Sequence, residues 1–136
     1  MSLSKFFLNS CWTNDLEKVR ECLDQGVDVN IVKELRSGEK KYSGLTIAAE
    51  KNYPELVDLL VSQPGIDVNL IPGYGTPLMY ACYAGHHEIV RRLVQVPGIN
   101  IGHKESDGRT ALHYAANNGR SDCLKELAKV PCHSLE

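Results

Sequence analysis

Five cysteines and five histidines are the side chains in this 136-residue chain best suited to hold a metal or act as nucleophiles. Cys11, Cys22, Cys82, Cys123 and Cys132 show no CxxC spacing, so neither a zinc ribbon nor a dithiol redox pair is indicated. Cys132 and His133 follow Cys123 toward the C-terminus, but their spacing fits no zinc pattern and no fourth ligand stands nearby. There is no glycine-rich phosphate loop, no GxSxG elbow and no outstanding pair of carboxylates. These side chains therefore predict no catalysis, no cofactor and no metal. An odd number of unpatterned thiols points to reduced cysteines in the cytoplasm or nucleus.

Bulk properties narrow the partners further. Lys and Arg number 15 against 17 Asp and Glu, a formal charge of -2. That balance removes the electrostatic reason to expect nucleic acid or a membrane surface as partner. No window approaches the roughly 18 apolar residues that cross a bilayer, and Phe6-Phe7-Leu8 is too short an apolar run for a signal peptide. A monomeric single domain is the expectation.

The elements that position these residues are set by internal repetition. Pro64-Gly65-Ile66-Asp67-Val68-Asn69 recurs as Pro97-Gly98-Ile99-Asn100-Ile101-Gly102, and Thr76-Pro77-Leu78-Met79-Tyr80-Ala81-Cys82 as Thr110-Ala111-Leu112-His113-Tyr114-Ala115-Ala116. Leu45-Thr46-Ile47-Ala48-Ala49 and Phe7-Leu8-Asn9-Ser10-Cys11 are earlier copies of the latter segment. Each unit reads as helix, turn, helix and extended loop. The turns end at Asn14, Asn52, Gly85 and Gly119, residue types that tolerate a left-handed cap. Three residues on stand Glu17, Glu55, Glu88 and Asp122, suited to the positive end of the second helix. Cys11 and Cys82 share a small packing position with Ala49 and Ala116, and Cys22 lies with Val19 and Leu23 on an apolar face. The thiols are thus predicted to be core residues.

These units resemble the ankyrin repeat family. The match is carried by Gly108-Arg109-Thr110-Ala111-Leu112-His113-Tyr114-Ala115-Ala116-Asn117-Asn118-Gly119, by Thr76-Pro77-Leu78 and by Gly26-Val27-Asp28-Val29-Asn30, at the family's period of about 33 residues. The resemblance implies an all-α ankyrin-repeat solenoid of four helix-turn-helix units with β-turn finger loops. The expected repeats span residues 4–30, 42–69, 74–102 and 108–133 of a single domain, 1–136. Departures from the pattern predict local effects. Ser43-Gly44-Leu45-Thr46 predicts a looser start to the second repeat, and Lys125, Glu126 and Lys129 a broken, solvated last helix. His113, at the motif position, is expected to tie loops together.

By the same resemblance, partners contact the residues after the two small ones and those in the finger tips. Here these are Trp12, Glu50, Lys51, Tyr83 and Asn117 in the first set, and Tyr74, Asp107 and Arg109 in the second. Trp12 and Tyr83 are equivalent, and rigid aromatics are favoured anchors. Tyr74 replaces a usual glycine, which makes it either a strained turn residue or a displayed ring. The first finger, 31–42, is five residues longer than the last and carries Lys33, Arg36, Lys40 and Lys41 against Glu34 and Glu39. Its Ser37-Gly38 turn predicts a short hairpin, with Lys40 and Lys41 placed to meet an acidic partner segment or simply solvent. Asn30 and Asn69 are expected to bond adjacent fingers, and the resemblance also marks them for asparaginyl hydroxylation. The functional expectation is a non-catalytic protein-interaction module. The alternatives are a small inhibitor of a kinase or transcription factor, or a targeting fragment of a larger enzyme or channel.

Overall fold

A hydroxyl side chain opens every first helix of the computed structural model, which describes residues 2–129. Ser2, Ser43, Thr76 and Thr110 each accept a hydrogen bond from the backbone N–H three residues on, satisfying a donor that has no partner within the helix. The helices they start are α1 (Leu3–Trp12), α3 (Gly44–Lys51), α5 (Pro77–Ala84) and α7 (Ala111–Asn117). Their partners are α2 (Leu16–Asp24), α4 (Pro54–Val61), α6 (His87–Leu93) and α8 (Ser121–Ala128). Asn14 (φ 57°) and Asn52 (φ 64°) take the left-handed conformation at the turns, as do Gly85 and Gly119. Each second helix carries its expected acid in the first turn: Glu17, Glu55, Glu88 and Asp122.

Two local expectations are corrected. The start of the second repeat is not loose, because Ser43 and Thr46 close a reciprocal capping box. Gly44 within it is buried, and a Cβ there would lie 3.2 Å from Cys11 Sγ and 3.3 Å from Leu60 Cδ1. Glycine thus lets α3 close tightly on α1. The last second helix is continuous rather than broken. Glu126, only 7% exposed, sits 3.5 Å from Arg91 Nε and 3.1 Å from Lys129 Nζ. The Lys129 hydrogen bond holds its carboxyl below the usual range, so the charge is compensated where it is buried.

The first helices stack α1 on α3 on α5 on α7, and the second helices α4 on α6 on α8. Between the layers lie Phe7, Leu8, Ile47, Leu56, Leu60, Leu78, Ile89, Leu93 and Leu127. Cys11, Cys22, Cys82 and Cys123 are reduced and fully buried, and desolvation raises each thiol pKa. Along the second helices, Arg92 pairs with Asp58 and, at 3.3 Å, with Glu88. Asn30 Nδ2 donates to Gly65 O (2.8 Å) while its Oδ1 accepts from Asp67 N (2.8 Å). Asn69 repeats the arrangement on Gly98 and Asn100. The first finger forms the expected hairpin: β1 (Lys33–Glu34) pairs antiparallel with β2 (Lys41–Tyr42), Lys33 opposite Tyr42. Among the described residues, no helix is long and apolar enough to cross a membrane.

Candidate functional site

On the first-helix side of the stack, α5 is the middle of a groove. Tyr80 and Tyr83 are three residues apart and so share a helix face. The groove encloses about 300 Å³ and is lined by those two rings with Tyr74, Tyr114, Met79, Ala84, Gly75, Lys40, Glu50 and Glu105. Its walls come from separate repeats. Glu50 lies in the last turn of α3, Tyr114 lies on α7, and Tyr74 and Glu105 come from the second and third fingers.

Each wall is held by identifiable contacts. Tyr74 N donates to Tyr80 Oη (3.2 Å), which fixes the second finger over α5. Tyr74 has no left-handed backbone and is 74% exposed, so it is the displayed ring and not a strained residue. Tyr114 Oη donates to Glu105 Oε2 (2.8 Å), and burial followed by that bond raises its pKa. Glu105 also caps its own finger, accepting from Gly108 N (2.8 Å) and donating its N–H to Arg109 O (2.9 Å). At Gly75 a Cβ would come within 3.0 Å of Met79 Sδ and 3.2 Å of Glu105 Oε1, so glycine allows the two fingers to approach. His86 Nε2 lies 3.0 Å from Glu50 O, which ties α3 to the turn after α5.

Lys40 turns inward from the hairpin. Its ammonium donates to Glu50 Oε1 at 2.7 Å and stands 4.4, 5.1 and 5.6 Å from the ring centres of Tyr80, Tyr42 and Tyr74. Burial alone would lower its pKa, but the Glu50 hydrogen bond and neighbouring negative charge outweigh that and raise it. Lys40 is therefore a charged part of the groove wall and not a projecting arm.

Of the residues singled out from sequence, Lys40, Glu50, Tyr74 and Tyr83 come together here. Trp12 and Lys51 lie elsewhere and pair with each other, the ammonium 3.8 Å from the ring centre. Asp107 and Arg109 pair at the tip of the third finger (3.4 Å), while Lys41 and Asn117 are exposed. His113 bonds within its own repeat, its Nδ1 accepting from Thr110 N at 3.1 Å, and so caps α7 instead of tying loops together. Tyr80, Tyr114 and Glu105 were missed by sequence reasoning. The signal for the two rings was present, since each stands one helical turn before Tyr83 or its equivalent Asn117. Among the described residues, no group of three or more His, Cys, Asp or Glu side chains could hold a metal. Cys132 and His133 lie outside the described residues.

The family described as ankyrin repeats (3 copies) matches residues 7–104 and 45–134. The E3 ubiquitin-protein ligase XBAT33 of Arabidopsis thaliana is 42% identical over 85 residues, 61% of this chain and 16% of its own. Alpha-latrotoxin-Lt1a of Latrodectus tredecimguttatus is 36% identical over 89 residues, 63% of this chain and 6% of its own. Ankyrin repeat domain-containing protein 63 of Mus musculus is 30% identical over 112 residues, 80% of this chain and 27% of its own. The chain thus spans well under a third of the length of each.

Proposed function

This chain belongs to the ankyrin repeat family, and on that premise we propose that it is a non-catalytic module that docks a partner protein in the groove along α5. The observation that carries this reading is the exposure of Tyr83 (60%) and Tyr74 (74%) on the rim of a preformed cavity. Isolated exposed rings are ordinary, but two rigid aromatics flanking one groove match the anchor residues that dominate interfaces. The walls are already held by hydrogen bonds, so docking needs little rearrangement. Trp12, Lys51, Lys41, Asp107, Arg109 and Asn117 would then lie outside the main contact. The module acts as a monomer in the cytoplasm or nucleus, a setting that suits four buried, reduced thiols.

Affinity capture from cell extract, comparing the parent with Tyr74→Ala plus Tyr83→Ala, tests the reading. Selective loss of interactors from the folded double variant is expected. Retention of all of them overturns the groove as docking site. A second reading, that the array targets a longer chain to its substrate, is supported by the small share of the matched proteins that it covers. The hydroxylation proposed for Asn30 and Asn69 faces an obstacle, because both side-chain amides are spent on the next repeat. Incubation with an asparaginyl hydroxylase should add about 16 Da per modified site, one oxygen, and an unchanged mass discards it.

A further inference from the structure

We propose that the half of the groove between Tyr74, Tyr83, Tyr114 and Glu105 receives an alkylammonium group, the head of a lysine-type side chain on an extended partner segment. The inference deepens the docking function proposed above and rests on it. Its first support lies inside the chain. Lys40 already places an ammonium in the neighbouring half, against the faces of Tyr80, Tyr42 and Tyr74 and 2.7 Å from Glu50. Aromatic faces carry negative potential and attract a cation, more so where water is displaced. The groove thus accepts an ammonium without neutralising it.

The second half has the same ingredients without the cation. Tyr83 and Tyr114 meet edge to face with ring centres 6.0 Å apart, which forms a corner rather than a flat wall. Glu105 lines the same cavity and is bonded through one oxygen to Tyr114 Oη. Among the described residues, no Lys, Arg or His nitrogen lies within 4.0 Å of its carboxylate. The lining therefore holds Glu50 and Glu105 against Lys40 alone, and one negative charge is left to be matched by an incoming cation. Tyr114 Oη keeps the carboxylate oriented.

Protein with 13C-labelled tyrosine rings, titrated with Nα-acetyl-lysine N-methylamide and with tetramethylammonium chloride, tests the proposal against sodium chloride at equal ionic strength. Saturable shifts of the Tyr74, Tyr83 and Tyr114 rings are expected with both ammonium probes, at least tenfold weaker in Glu105→Gln. That variant keeps an acceptor for Tyr114 Oη, and its far-ultraviolet spectrum should match the parent's. Shifts no larger than the sodium chloride blank overturn the site. So does tighter binding of Nα-acetyl-arginine N-methylamide, which would point to a planar cation. If the titration is flat while Tyr74→Ala plus Tyr83→Ala still loses interactors, the cation site falls and the docking groove stands. If the probes bind while that double variant keeps every interactor, the partner segment is refuted, and the docking reading with it.

Discussion

Trp12 and Tyr83 occupy the same position in two first helices, yet their rings are covered to different extents. Over Trp12 lie the Lys51 ammonium, 3.8 Å from the ring centre, and the edge of Tyr42 at 5.4 Å. Its carbonyl also accepts from Tyr53 Oη (2.9 Å), and with Lys51 and Tyr42 against the ring the residue is half-buried. Tyr83 meets one ring, Tyr114, and although its carbonyl likewise accepts from the next repeat, at Arg120 Nε (3.3 Å), its side chain remains 60% exposed. A repeat position alone therefore does not set a side chain's role. The next repeat decides it, by supplying either a cover or a wall. The hairpin makes the difference: its second strand delivers Tyr42 to Trp12, and Lys40, just before that strand, to the groove.

The comparison can be sharpened first at the core the two sites share. Cys11 lies beside Trp12 and Cys82 beside Tyr83, both fully buried with pKa values raised by desolvation. A raised acid stabilises the fold below its unfolded pKa, and that stability is lost as pH rises toward the folded value. Above about pH 8.5, each thiol should therefore cost up to about 1.4 kcal/mol per pH unit. Urea midpoints at pH 7 and pH 10 check this, and Cys11→Ala or Cys82→Ala should each flatten the decline by a similar amount. A pH-independent midpoint contradicts it.

Next in size is the contrast at the surface. Trp12→Ala should lower the unfolding free energy by about 2 kcal/mol through lost packing, whereas Tyr83→Ala stays within about 0.5 kcal/mol. Equal losses in chemical denaturation would erase the distinction between covered and displayed ring. Lys51→Met should cost about 0.5–1 kcal/mol, the worth of one exposed cation over an indole, and a neutral result would make the ammonium a bystander. The smallest effect belongs to the hairpin. Lys41→Ala should leave stability within about 0.5 kcal/mol, while Lys40→Ala removes the ammonium that Glu50 and three rings surround. Thermal melts of the two variants that coincide would place Lys40 back in solvent.

The stacked helices were legible in the chain because every repeat carries its own punctuation. Hydroxyl caps, left-handed Asn or Gly turns and first-turn acids recur at one period, and each acts locally. Half of the groove followed from the same logic, since Glu50 and Tyr83 stand one position past the small residues. The remainder depends on distances between repeats. Lys40 was read as a free finger charge because its partner, Glu50, lies ten residues away on α3. Glu105 was passed over because only the folding back of the third finger brings it to Tyr114. The broken last helix was misjudged for a related reason: Glu126 looks like a surface residue until Arg91 of the preceding repeat covers it.

The links made by Asn30 and Asn69 have a directional grammar. In each, a side chain of one unit grips only the main chain of the next, at Gly65 and Asp67 or at Gly98 and Asn100. The receiving unit contributes a carbonyl and an amide that any sequence of the right shape possesses. Such a seam is blind to the identity of its successor. That part of the joint would survive the duplication or exchange of a unit, whereas the pairs Arg92–Asp58 and Arg91–Glu126 on the second helices need matched side chains in both neighbours.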